Sequence, residues 1–500
     1  MHRSTYWICL AVLGFFAFKL LRFVTLAYTF NDMYAFLQMS RSWMDGRPFM
    51  YENIWGYHHQ IHNYYTVLLW GPFCRLFGAY GLFAVQSGLL LISYALVNER
   101  LVRSKLPNWA RYTLLGVVLL GPVTFWLNDH PNIGWHTELT YLPLALLFAL
   151  ALMGNSQIGT FLAGLGVVLV KEDGAVLAAL IHLSFDGIRY VRQHPDKAIW
   201  GWVTQRRFWF IALGWFVVFV AGMIWLSYKN NFAEPRLQIA LKLIGDNVGK
   251  STFWRQIGMI TGQSLVLLLP VAGSLSWVAG KLKTRSTPQL LLLWWVGVGL
   301  LTGLNFVQSS HYYGQPLFHL VSLTWPPRFI LLWAFSAAFF TLLLGQFADQ
   351  LQKKTRPTLA WLLIATLVTV QLPLLYLARP DFISLNELIS TFRGRYSSEK
   401  NSKYLQAADL AIVRCLADRL PAQSNVFAFD YLVPFFHRNY EIWPTGKQYR
   451  PADIALLPID DPQKLRTKMP LRHPYRIIRL NAYNLYVSTP YEHIVEQCVH

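Results

Sequence analysis

Long apolar runs recur along most of this chain of 500 residues and stop near residue 378. A helix that crosses a membrane takes about 20 mostly apolar residues. Runs of roughly that kind occupy 6–29, 79–97, 112–128, 138–153, 157–170, 174–185, 208–228, 257–278, 289–306, 327–347 and 358–377. They predict about eleven transmembrane helices, because in lipid a spanning segment must satisfy its own backbone polar groups. Composition agrees: 54% of the residues are hydrophobic and only 14% charged, where a soluble domain carries about 25% charged residues.

The formal net charge of +19 raises nucleic acid as a partner, but the basic residues sit in short clusters between apolar runs, as membrane topology requires. One cluster is Arg100, Arg103, Lys105 and Arg111, and a second is Arg189, Arg192, Lys197, Arg206 and Arg207. Lys281, Lys283 and Arg285 form a third, and Lys353, Lys354 and Arg356 a fourth. A further apolar run, 64–77, is short and interrupted by Gly71-Pro72 and Arg75. If it does not cross, all four clusters share the cytoplasmic face with the N-terminus; if it crosses, they all flip outward. The expectation is therefore a non-crossing segment, re-entrant or lying along the interface. One basic stretch stays unexplained: Lys229, Arg236, Lys242, Lys250 and Arg255 fall on the outer face.

Residues 1–378 read as the transmembrane domain, with a first outer loop over 30–78. The N-terminal run lacks a small-x-small cleavage site and is expected to be a retained anchor. Residues 379–500 have soluble composition and are expected outside the cytoplasm. Helical periodicity covers 402–420, short strands are expected at 425–429 and 453–458, and a hairpin at 475–480 and 484–488 around Asn481-Ala482. Cys9 and Cys74 lie in apolar runs; Cys415 and Cys498 share the soluble part and can pair in an oxidising compartment.

This topology gathers the polar loops on one face. Asp32 follows the first span, where a carboxylate is costly without a role or partner; its plain alternative is a cap on an interfacial helix. His58 and His59, with His62 close behind, are suited to phosphate or metal, or are incidental members of an aromatic interface. Asp129, His130, His136 and Glu138 could hold a divalent ion such as Mg or Mn, although Glu138 also suits a helix start. Lys171, Glu172 and Asp173 stand between two apolar runs, each costing a few kcal/mol at membrane depth, and are hard to explain as packing. His311 and Tyr312 belong to a polar outer loop before Arg328, which can pair with a lipid phosphate or snorkel to the headgroups. No P-loop, GxGxxG, HExxH or GxSxG is present, so an ATP-driven pump or a hydrolase of those types is unsupported.

Several of these residues together resemble a polytopic membrane-protein family of unknown function that is grouped with the GT-C glycosyltransferases. The residues that carry the resemblance are Asp32 with Trp43 to Phe49, His136-Thr137-Glu138, Lys171-Glu172-Asp173 and His311-Tyr312-Tyr313. In the C-terminal part they are Leu432-Val433-Pro434 through Arg438, and Ala452-Asp453. The resemblance implies a GT-C-like α-helical polytopic fold with interfacial helices and a small C-terminal α/β extracytoplasmic domain. It further implies a polyprenyl-phosphate-sugar donor drawn from the membrane lipid and an extracytoplasmic acceptor, with Asp32 at the position of the family's catalytic acidic residue, where it would deprotonate the acceptor hydroxyl. No DxD stands in the first loop, a departure from that pattern. On this reading the chain is a glycosyltransferase of the bacterial inner membrane, Lys171 and Arg328 would offset charge on the departing phosphate, and His136, Glu138, Glu172 and Asp173 would orient substrate. The competing readings are a transporter or flippase of a lipid-linked or anionic substrate, and a non-catalytic scaffold.

Overall fold

Each expected span coincides with a helix. The computed structural model describes residues 3–24, 32–52, 56–60, 62–129, 134–231, 236–282, 287–308, 326–352, 357–378, 407–421, 423–428, 432–436, 441–444, 451–458, 474–480 and 483–499. The first span, α1 (Arg3–Val24), is followed by α2 (Asp32–Arg41), a ribbon of β1 (Tyr51–Glu52) and β2 (Gly56–Tyr57), a 3₁₀ stretch over Tyr65–Trp70, and α3 (Gly71–Phe77). Then come α4 (Ala79–Arg103), α5 (Asn108–Thr113), a π-helical stretch over Leu114–Leu119, and α6 (Pro122–Asn128). The bundle continues through α7 (Tyr141–Met153), α8 (Gln157–Val168), α9 (Gly174–Gln193), α10 (Trp200–Val203), α11 (Arg206–Lys229) and α12 (Arg236–Asn247). It closes with α13 (Ser251–Ala279), α14 (Thr287–Gln308), α15 (Pro326–Gln346) and α16 (Pro357–Ala378).

Among the described residues, 8 helices are long and apolar enough to cross a membrane. The shorter apolar helices Thr137–Met153, Gln157–Val168 and Ala360–Leu375 fall where the other expected spans lie. The chain is thus a multi-pass membrane protein. An all-round apolar helix belongs in the middle of such a bundle, and α15 is that helix, buried at every residue from Phe329 to Leu344. By contrast α11 fully buries only Leu226 and leaves many of its large apolar side chains exposed. The span through α5 and α6 is broken at Gly121-Pro122, where proline removes a donor. Gln371 repairs the break, its Oε1 accepting from the Val123 N–H at 3.0 Å and its Nε2 donating to the Val117 carbonyl at 2.7 Å.

The run 64–77 forms the 3₁₀ turn and α3. The 3₁₀ turn and α3 together reach roughly 22 Å by their rises per residue, short of a hydrocarbon core of about 30 Å. They fold back against α2, which buries eight successive residues from Met33 to Ser40. A Cβ on Gly71 would collide with the Ser40 carbonyl oxygen, so α2 can lie this close only because residue 71 is glycine.

In the C-terminal part, α17 (Ala407–Arg419) precedes β3 (Asn425–Ala428), β4 (Glu441–Pro444), β5 (Ile454–Pro458), β6 (Tyr475–Arg479), β7 (Tyr483–Ser488) and α18 (Glu492–Val499). The strand order is β4-β3-β5-β7-β6, parallel at β4-β3-β5 and antiparallel at β5-β7-β6. The expected hairpin is β6 and β7; β4 was not expected, since its short Glu-Ile-Trp-Pro sequence shows no alternation. Cys415 and Cys498 form a disulfide between α17 and α18. This part shares one apolar cluster with α2, including Val413, Leu416, Phe36 and Met39. Phe435 stacks on Phe23 at 5.2 Å, and Arg414 donates to the Val24 carbonyl at the end of α1.

Candidate functional site

Four chain segments meet beside α2. The Lys171 ammonium lies 2.6 Å from Glu138 Oε1 and 3.5 Å from Asp173 Oδ2. Its neighbour Glu172 turns the other way, accepting from His62 Nδ1 at 2.7 Å and from the Asn63 backbone N–H at 3.2 Å. Asp173 accepts from the Tyr141 hydroxyl and, at 2.6 Å, from Gln308 Nε2. The three consecutive charges therefore tie α7, the first loop and α14 to one turn. Gly174 allows that turn to sit tight on α8, for a Cβ there would collide with the Val167 carbonyl.

The same site holds three imidazoles. His58 pairs with the buried Glu52 at 3.1 Å, and its ring centroid stands 6.2 Å from that of His62. His136 Nδ1 accepts from the Glu138 backbone N–H at 3.3 Å and lies 3.9 Å from Glu138 Oε2. Phe36 packs edge-on against His136 with centroids 4.6 Å apart, and Tyr64 touches Phe36, His58, His62 and His136. Asp32 is the first residue of α2 and stands four residues before Phe36, so both occupy one helix face. The carboxylate falls in the first turn, where the helix dipole favours it. That position puts it one turn from the ring that covers His136.

Electrostatics set the protonation states. Burial pushes the His136 imidazole well below its ordinary value, and the ammonium of Lys171 pushes it the same way, so the ring is neutral. Burial alone would lower Lys171, but Glu138 and then Asp173 override it and hold the ammonium well above its usual range. For Glu172, burial would raise the carboxyl, yet His62, its hydrogen bond and Lys171 hold it well below the ordinary carboxylate value. The cluster is a set of buried, mutually compensated ions.

The structure thus brings together His58, His136, Glu138, Lys171, Glu172 and Asp173 of the expected site, with Asp32 adjoining. The side chains of His59 and Arg328, and the whole of His130, His311 and Tyr312, lie outside the described residues. Asp129 goes elsewhere. Its carboxylate binds Arg22 Nη1 at 2.6 Å and faces Lys19 Nζ at 3.9 Å, both buried in α1. Lys19 also donates to Gln86 Oε1 and to the carbonyls of Asn128 and Gly134. A transmembrane lysine and arginine are thereby explained as the anchor of the loop after α6. Among the described residues no three of His, Cys, Asp and Glu converge as a metal ion needs. Of the expected cation set, Asp129 is engaged by Arg22 and Glu138 by Lys171.

Sequence reasoning passed over Glu52, Asn63, Tyr64, Tyr141 and Gln308. Glu52 was findable as the one carboxylate amid the aromatic half of the first loop. Tyr141 and Gln308 carry no such signal, because one opens and the other closes an apolar helix, and each acquires meaning only from Asp173.

These features define a class: a multi-pass helical membrane protein with a charge-paired polar site at one end of its bundle, beside a buried interfacial helix. No family model matches the chain, and no curated protein matches it in sequence. Among solved structures, the fold is similar to that of ArnT from Cupriavidus metallidurans bound to undecaprenyl phosphate. The identity is 12%, the match covers 97% of this chain and 98% of that chain, and the TM-score is 0.48. The apo state of the same protein gives 13% identity, the same coverage of both chains and a TM-score of 0.49. Identities at this level compare overall shape, and no residue or role is carried across from them.

Proposed function

We propose that the protein is a membrane glycosyltransferase that takes a sugar from a polyprenyl-phosphate-linked donor and passes it to an acceptor outside the cytoplasm. The observation that carries this reading is the position of Asp32: a carboxylate at the start of α2, one turn from the Phe36–His136 contact. Asp32 takes the proton of the acceptor hydroxyl as its oxygen bonds to the anomeric carbon. The bond from that carbon to the phosphate oxygen breaks, its electron pair leaves with the phosphate, and polyprenyl phosphate is released. Attack from the far side inverts the anomeric centre.

The charged cluster serves this step by orientation. Lys171 is already compensated by Glu138 and Asp173, so its part is to hold those carboxylates in place rather than to meet a phosphate. Neutral His136 and the ordered pair His62–Glu172 present fixed hydrogen-bonding groups to a sugar. The protein lies in the bacterial inner membrane with its N-terminus in the cytoplasm and its C-terminal domain outside, the orientation supported by the basic clusters. A disulfide in that domain suits an oxidising compartment. Undecaprenyl phosphate, the lipid bound by ArnT in the similar structure, belongs to the carrier class proposed here; the reading rests on the site and the topology, not on that likeness.

Transport is the competing account. It calls for polar residues along a path through the membrane, whereas the deep charges Lys19, Arg22 and Asp129 are locked to one another. Sealed vesicles containing the protein, given polyprenyl-phosphate sugars labelled in the sugar, separate the two. A transferase moves label off the lipid into a covalent product. Label that crosses the bilayer still attached to its lipid supports the transporter and contradicts the proposal.

A further inference from the structure

The protein buries or half-buries three lysines whose partners the structure describes, and they are treated differently. Lys19 faces Asp129, and Lys171 is gripped by Glu138 and Asp173. Among the described residues Lys229, the last residue of α11, hydrogen-bonds only to neutral groups, its Nζ donating to Asn63 Oδ1 at 2.9 Å and to the Tyr65 hydroxyl at 2.7 Å, while Glu172 attracts it from farther off. It also stands 4.9 Å from the Tyr65 ring and 5.9 Å from that of Trp225. No carboxylate among the described residues lies within ion-pair distance of it. An ammonium has three N–H donors, so one is left over after Asn63 and Tyr65.

Everything around Lys229 is built. Trp225 Nε1 donates to the Tyr65 hydroxyl at 2.5 Å, and Asn63 Nδ2 donates to the Gly222 carbonyl at 3.0 Å. Asn63 also gives its backbone N–H to Glu172, so the lysine is one residue removed from the candidate site. Its other side opens on lipid: Trp225, Tyr228 and Ile224 of α11 and Leu69 of the 3₁₀ stretch are all exposed large apolar residues. Tryptophan and tyrosine at such a depth mark the headgroup level. Lys229 also begins the outer basic stretch that the positive-inside rule leaves without explanation. A half-buried cation with a spare donor, neutral partners and a lipid-facing aromatic wall wants an anion that comes from the bilayer.

We infer that Lys229, framed by Asn63, Tyr65 and Trp225, is the binding site for the phosphate of a membrane lipid at the mouth of the candidate site. In the glycosyltransferase reading, on which this part rests, that phosphate belongs to the polyprenyl carrier, and Lys229 fixes it while the sugar extends past Asn63 towards Glu172. The lipid-phosphate site itself stands without that reading.

The test is lipid retention by the full-length protein in detergent, read by native mass spectrometry. The probes are polyprenyl phosphate, polyprenol of the same length and phosphatidylglycerol, with no sugar donor or acceptor present. The wild type should prefer polyprenyl phosphate to polyprenol. In Lys229→Met that preference should fall by about tenfold or more, as for one charge-assisted hydrogen bond, while Lys229→Arg keeps most of it. Equal loss for phosphatidylglycerol supports a general lipid-phosphate site, and loss confined to polyprenyl phosphate supports the carrier. A Lys229→Met protein that runs as a folded monodisperse species and keeps the full preference overturns the inference. Because no transfer is measured, a failed glycosyltransferase reading would leave this result unaffected.

Discussion

Lys171 Nζ lies 2.6 Å from Glu138 Oε1, with the two side chains only 10% and 7% exposed. The pair joins the turn after α8 to the start of α7 across 33 residues of sequence. A buried pair of this kind is a weak net stabiliser, but removing one partner strands a charge, at a cost of about 3–5 kcal/mol. Lys171→Met should therefore lower the thermal midpoint strongly, and the double variant Lys171→Met with Glu138→Leu should recover most of the loss. Unfolding in one detergent across the four proteins measures this, and an additive double variant would show that the two residues do not act as a pair.

Acid should weaken the site through His136. Its folded-state value lies below the ordinary one, because the buried ring stays neutral. The stability it contributes is present above the ordinary value of 6.5 and is lost as pH falls below it, since the unfolded chain then takes up a proton the folded one refuses. Glu172 is also depressed, from an ordinary value of 4.5, so its share is lost only at lower pH. A thermal midpoint followed from pH 7.5 to 5 should decline in the wild type and stay flatter in His136→Gln. Identical slopes would place the acid sensitivity elsewhere.

The C-terminal part should depend on its disulfide. Cys415 and Cys498 are 83 residues apart, and closing a loop of that length restrains the unfolded chain by up to about 4–5 kcal/mol. Because Val413 and Leu416 of α17 pack in the cluster that holds α2, loosening them should be felt at Asp32. Cys415→Ser with Cys498→Ser is expected to lower the thermal midpoint and to increase protease cleavage within 407–499. An unchanged midpoint would show that packing alone suffices to hold α17 and α18 together.

The membrane-spanning helices were legible from the sequence because they follow from apolar length, a one-dimensional signal. The shortness of the helix at 71–77 was legible for the same reason, as Gly71-Pro72 and Arg75 interrupt an already short run. Lys171, Glu172 and Asp173 stood out because three charges between apolar runs have no packing explanation. What each one binds was hidden. Glu138, His62 and Tyr141 reach them from 33, 110 and 32 residues away, distances over which no periodicity speaks. That Asp129 pairs with Lys19 and Arg22 was hidden, because those cations lie in the first span, more than 100 residues away. The strand β4 escaped for a different reason: it is an edge strand of four residues ending in proline, with too little pattern to register.

The account turns on Asp32 as the base that takes the acceptor's proton. The most direct measurement is the rate of sugar transfer from a polyprenyl-phosphate donor by wild-type and Asp32→Asn proteins of equal thermal midpoint and equal polyprenyl-phosphate binding. Loss of a general base costs about 10²–10⁴-fold in rate, so Asn at 32 should reduce turnover by at least about a hundredfold and leave donor binding intact. Transfer at the wild-type rate by Asp32→Asn would contradict the account.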